Sequence, residues 1–303
     1  MDVYKLRTSD WAEKPLERAR FEEETKMQPP WYVNNDKMGK SCFAVCPGCD
    51  NPIQIIGFYQ KARHTDKPYA QHVPRSVSRL ATYRQEAFNF CPYAAPRRYD
   101  PEGRRSETDP LGDKILDLLV QHFDRVVFIL EEDTGIKITT GLAEDMLHHY
   151  RSRAGHLYMG ATLQNVPWVF AYMTLSNSLM GRRIPGDDAL LEAIEKKVPG
   201  AVINWERKQV TWKAKGTFVE LNYCFIHHRT RHSDDTLKES MSMVVSHGRD
   251  NTTVYRKNIT FDRVRFKRLI NTPEERARRP RQKELVALAE SILGRRKTVG
   301  ITR

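Results

Sequence analysis

The sequence predicts an α+β chain: a cysteine-bearing N-terminal module, then a helical region, an antiparallel β-meander and a basic C-terminal helix. Three observations carry that expectation. Four of the five cysteines, Cys42, Cys46, Cys49 and Cys91, fall in the first third of the chain. Apolar residues recur at helical spacing from Ile115 to Lys197, and the period drops to two from Ala201. The net charge of +12 is concentrated at the end, where residues 254–303 hold 15 Lys or Arg against 5 Asp or Glu. A hydrophobic fraction of 40% with 29% charged residues is globular rather than disordered or fibrous composition.

Residues 1–40 read as an arm. Trp11, Phe21, Trp31 and Tyr32 are too aromatic for a disordered segment, and Leu16 to Lys26 has helix-forming composition that stops before Pro29 and Pro30. Such an arm is expected to pack on a later part of the chain or on a partner. Residues 41–95 form the cysteine module. Residues 96–113, with Pro96, Pro101, Gly103 and Pro110, read as a linker with little to bury.

Residues 114–303 read as an α+β domain. Ile115, Leu116, Leu118, Leu119 and Phe123 mark a helix, and Arg125 to Leu130 reads as a short apolar strand. Leu142, Met146, Leu147 and Tyr150 mark a second helix, Trp168 to Leu179 a third behind Pro167, and Asp187 to Lys197 a fourth. Asp187 or Asp188 is placed to cap the fourth, and Pro199-Gly200 to stop it. From Ala201 a first hairpin returns near Lys213 to Gly216 into Phe218 to Ile226. A second pairs 237–246 with 252–261 across Gly248 to Asn251. Arg281 to Leu293 closes the chain as a helix with Leu285, Val286, Leu288, Ala289 and Ile292 along one face.

Cys46-Pro-Gly-Cys49 is the most specific motif. The Pro-Gly turn lets both sulfurs face one metal ion, and backbone amides of such a knuckle donate to the thiolates. One knuckle supplies two of the four ligands of tetrahedral zinc. Cys91, in a second cysteine-proline context, is the expected third, and His72 the expected fourth, with His64 and Cys42 as rivals. A structural Zn2+ would contribute on the order of 10 kcal/mol or more to folding, in a block with few large aliphatics of its own. Reduced cysteines without metal are the plainer alternative. A redox Cys-x-x-Cys is a poorer one, because Asn51 to Ile56 reads as a strand where a thioredoxin-like motif opens a helix.

The knuckle and its following strand resemble half a zinc ribbon, and His72 resembles the histidine of ribbon-like modules in phage and mobile-element accessory proteins. The resemblance covers residues 42–95; the separation of Cys49 from Cys91 is wider than in a compact ribbon. It implies a zinc-stabilised docking module. By the same analogy the chain resembles phage inhibitors that bind a host anti-phage defence complex, such as those opposing the Gabija system.

Other chemistry is sparse. Asp188 with Glu206 and Lys208 resembles the PD-(D/E)xK nuclease arrangement, in which acids hold Mg2+ and the lysine orients water. A capping acid and outward-facing strand residues explain the same letters. His227, His228 and His232, followed by Asp234 and Asp235, read as a solvated polar turn between strands. No Gly-rich phosphate loop, nucleophile elbow or HExxH motif occurs, so a non-enzymatic protein is expected. Arg276, Arg278, Arg279, Arg281 and Lys283, flanked by Arg263 to Arg268 and Arg295 to Lys297, are the candidate contacts for nucleic acid or an acidic partner. Expected partners are thus a protein complex or nucleic acid, with self-association through exposed strands as a further option. No 18-residue apolar run and no signal-peptide pattern occurs, so a membrane is not expected, and a reducing compartment, the cytoplasm (of a host cell if phage-encoded), is.

Overall fold

The computed structural model describes residues 1–35, 39–59, 65, 67–95, 99–214, 218–233, 236–277 and 279–294. It is a mixture of helices and antiparallel sheets that divides into two units. Unit 1 comprises Met1–Arg105, Thr162–Gln164 and Arg229–Glu239, and unit 2 the remainder.

In unit 1, strands β1 (Val3–Tyr4) and β2 (Lys14–Pro15) pair with each other, and α1 (Arg18–Thr25) follows. A four-stranded antiparallel sheet then runs in the order β3 (Tyr32–Asn35), β4 (Gly39–Val45), β5 (Pro52–Ile56) and β6 (Tyr69–His72). A single turn of helix, α2 (Gln85–Asn89), precedes Cys91. Tyr4 and Phe21, at most 1% exposed, share one apolar cluster with Cys42, Cys46, Cys49, Cys91, Ile53 and Leu237. Tyr4 meets Phe21 edge-on at 5.5 Å.

Unit 2 opens with α3 (Pro110–Gln121), where Asp109 caps the helix through the Leu111 amide and Pro110 takes the first turn. Next come α4 (Phe123–Thr134), α5 (Thr140–Ser152) and the seven-residue α6 (Val166–Tyr172). After β7 (Asn177–Ser178) the chain forms α7 (Asp188–Lys197), then β8 (Ala201–Asn204) and β9 (Gln209–Trp212). The long strands β10 (Leu221–Ser233), β11 (Thr236–His247) and β12 (Thr252–Thr260) follow, and α8 (Arg263–Asn271) and α9 (Lys283–Leu293) end the described chain. Trp168, fully buried on α6, stacks on Phe261 at 4.8 Å and donates its indole N–H to Asp133 at 2.7 Å. α9 buries Leu285, Ala289, Ile292 and Leu293 and packs on α3, α4 and α5.

Three readings of the sequence change. Arg125 to Leu130 is helical, not a strand: Phe123, Val126, Val127, Leu130 and Thr134 recur at three- and four-residue spacing and are all buried. The burial of that stripe outweighs the strand preference of the two valines and the isoleucine. The helix begun at Val166 ends at Tyr172 rather than Leu179, where the Thr174 hydroxyl bonds back to the Ala171 carbonyl and a short strand begins. The five strands from Ala201 onward, β8 to β12, do not form one meander. β8 and β9 are a sheet of their own, whereas β12, β11, β10 and β7 form another in that order. The reason is backbone pairing: residues 181–184 bond β9 through Gly181 N to Val210 O (2.9 Å), Val210 N to Arg182 O (3.0 Å) and Ile184 N to Lys208 O (2.7 Å). That edge of β9 is then taken. Among the described residues, no helix is long and apolar enough to cross a membrane.

Candidate metal centre

The knuckle sits between two antiparallel strands, β4 and β5, at the turn that joins them. Its backbone closes on itself, with Cys46 N donating to Asn51 O (2.8 Å) and Asp50 N to Cys46 O (3.1 Å). Gly48 is closely packed: a Cβ there would lie 3.0 Å from Tyr93 Cδ2 and 3.3 Å from Pro92 Cδ. The Cys91-Pro92-Tyr93 segment thus lies directly on the Pro-Gly turn, which brings the third sulfur to the first two. β6 contributes His72, opposite Ile53 of β5, and Phe88 of α2 meets the His72 ring edge-on at 5.1 Å.

The outcome is a cluster in which one ligand atom each of Cys46, Cys49, His72 and Cys91 lies within 4.8 Å of the others. Cys46 Sγ is 3.5 Å from Cys91 Sγ, and Cys49 Sγ is 3.4 Å from His72 Nε2. A tetrahedral ion with bonds of about 2.3 Å to sulfur and 2.0–2.1 Å to nitrogen sets edges of about 3.8 and 3.6 Å. These two separations lie within a few tenths of an ångström of such edges, and the Cys3His donor set fits a metal site. No disulfide competes, since all five cysteines are free. Cys42, although buried, stands outside the four-residue cluster, and burial pushes its thiol up to about 11. His64 lies outside the described residues.

The electrostatics point the same way. Burial pushes the Cys46 and Cys91 thiols well above their ordinary range. Burial acts upward on Cys49 too, but hydrogen bonds with Cys46, Cys91 and His72 override it and hold that thiol well below its usual value. Without a cation the pocket therefore favours one thiolate among three sulfurs. A divalent ion supplies the charge that lets all three ionise.

Around the four ligands lies a shell that no spacing rule reveals. Asn51 pins Arg84, donating to its carbonyl (3.0 Å) and accepting from its amide (2.7 Å), and Arg84 Nη2 donates to Cys49 O (3.4 Å). Lys5 and Asp50 form a salt bridge with side chains 0% and 6% exposed, directly after the knuckle. The late segments of unit 1 reach the same turns: Gln164 donates to Pro47 O at 3.2 Å, and His232 Nε2 lies 3.0 Å from Pro92 O.

The other candidates are placed differently. Asp187 is the helix cap, accepting from Leu190 N (3.0 Å), and it also holds Tyr255 and Lys257. Asp188 makes an exposed ion pair with Lys208 at 2.9 Å. Glu206 and Lys208 lie in the turn between β8 and β9 rather than on a strand, and Lys208 has φ of +49°. Among the described residues the cysteine–histidine cluster is the one group of three or more His, Cys, Asp or Glu side chains that converge on a metal-sized space. The three histidines are in β10, not in a solvated turn. His228 is 2% exposed, with Nδ1 3.1 Å from the Tyr158 hydroxyl and its ring stacked on Phe261. A strand alternates its faces, which buries His228 and turns its neighbours away. Asp234 and Asp235 lie outside the described residues.

In the basic segment, Arg281 is spent on Asp124 (2.8 Å) and the Gln121 carbonyl. Arg279 lies over the Phe128 ring at 4.3 Å, Arg276 ends a short 3-10 turn, and Lys283 opens α9 as an exposed residue. Arg278 and Arg295 to Lys297 lie outside the described residues. No protein-family model, curated protein or solved structure matches the chain.

Proposed function

We propose that this chain is a zinc-stabilised, non-enzymatic interaction protein. The observation that carries the reading is the convergence of the buried Cys46, Cys49 and Cys91 with the half-buried His72. Three thiolates and an imidazole are the donor set of zinc rather than of a harder cation. Four protein ligands leave no open position for substrate, which is the arrangement of a structural ion. The module is then a zinc-ribbon-like scaffold, and its resemblance to phage accessory modules makes a host defence complex of the Gabija type the first partner to try. Exposed apolar side chains support a docking role: Val202 (41%), Trp205 (37%) and Trp212 (48%) all belong to the β8–β9 hairpin and its turn.

The test combines elemental analysis with an activity assay on the full chain. The purified protein is expected to hold about one zinc per chain, lost in Cys46→Ser and in Cys91→Ser, and to leave DNA and RNA intact in Mg2+. Cleavage that disappears in Glu206→Ala while the fold persists would overturn the non-enzymatic half of the reading. Wild-type protein without zinc would overturn the other half.

A further inference from the structure

Unit 2 holds a cavity of about 590 Å3, within the range of small-molecule sites. Its lining brings together five arginines from three separate stretches: Arg125 of α4, Arg265 and Arg268 of α8, and Arg276 and Arg279 of the segment that follows. One carboxylate, Glu132, shares the lining.

Guanidiniums gathered this closely repel one another unless anions offset them. The fold offsets two of the five. Arg265 pairs with Asp133 at 3.1 Å. Arg125 lies 3.7 Å from Asp124, a carboxylate already engaged by Arg281, and donates to the Arg279 carbonyl at 3.2 Å. Arg268, Arg276 and Arg279 have no carboxylate partner among the described residues. Stacking on Phe128 orders the Arg279 guanidinium without neutralising it.

We infer that this cavity binds a small polyphosphate anion, of which the triphosphate of a nucleotide is the type. Guanidinium forks match phosphate oxygens in pairs. Cations spread around a concave space reward a ligand with several linked anionic centres over a single one. A nucleic-acid strand presents its phosphates along a line, whereas these guanidiniums, drawn from three separate stretches, line one concave space. The inference uses none of the proposed metal ligands, so it stands or falls apart from the zinc reading.

Calorimetric titration of the full-length, zinc-replete protein tests it, with ATP, sodium tripolyphosphate, adenosine and a single-stranded oligonucleotide as probes. ATP and tripolyphosphate are expected to bind at one site and adenosine not to bind. Arg268→Gln and Arg276→Gln, both at exposed positions, should each weaken binding by about tenfold, the scale of one charge-assisted contact. Arg276→Lys should retain more affinity than Arg276→Gln. Circular dichroism of the same samples separates lost binding from lost fold. The inference fails if neither ATP nor tripolyphosphate binds, if well-folded Arg268→Gln and Arg276→Gln bind as tightly as the parent, or if only the oligonucleotide binds.

Discussion

Lys5 and Asp50 place two charges where water does not reach, one on the residue after the first strand and one on the residue after Cys49. Removing either partner strands the other as an uncompensated buried charge, which costs about 3–5 kcal/mol. Lys5→Met and Asp50→Asn should each destabilise unit 1 on that scale in denaturant titrations. The double variant should recover most of the loss, because both charges then leave together. Asp50 has φ of +60°, a conformation asparagine tolerates, so the backbone adds little of its own. None of this is legible in the letters. Cys46, Cys49, Cys91 and His72 could be found because thiolates and imidazoles are rare and metal chemistry restricts their spacing. Lys5, Asn51, Arg84, Gln164 and His232 carry no such signature: each reaches the centre through a fold-dependent contact with a backbone atom or a side chain.

Elements were legible where a cap and a periodic stripe agreed. Asp187 and the apolar spacing of α7 point to the same helix, and Asp187 does cap it. Asp187→Ala should cost about 2 kcal/mol, the upper range for a lost cap, since Tyr255 and Lys257 also lose their acceptor. Asp188→Ala should stay within about 0.5 kcal/mol, because an exposed ion pair adds little. Thermal melts of the two variants separate a capping aspartate from its neighbour. Elements were illegible where a short apolar run fits both periods, as at Arg125 to Leu130. That misreading also hid Arg125, which as part of a helix reaches the arginine-lined cavity. The junction of α3 and α4 carries a pH signal. Burial, helped by Arg281, lowers His122 to about 4 from an ordinary 6.5. Between those values the unfolded chain takes up a proton that the folded chain refuses, so this contribution is complete above pH 6.5 and is lost as pH falls toward 4. His122→Gln should flatten the stability profile across that window in denaturant titrations run at several pH values.

For the whole molecule, the zinc reading separates the two units. The proposed ligands all lie in unit 1, whereas the large aromatic and aliphatic core around Trp168 lies in unit 2. Zinc removal by a strong chelator should therefore abolish one calorimetric transition and leave a second, because binding energy on the order of 10 kcal/mol is folding energy for the unit that holds the ion. A single transition that ignores the chelator would contradict that coupling. The most direct measurement of the central claim is X-ray absorption at the zinc edge on the purified full-length protein. The account predicts three sulfurs at about 2.3 Å and one nitrogen at about 2.0 Å. An oxygen-rich shell, or no zinc signal at all, would contradict it.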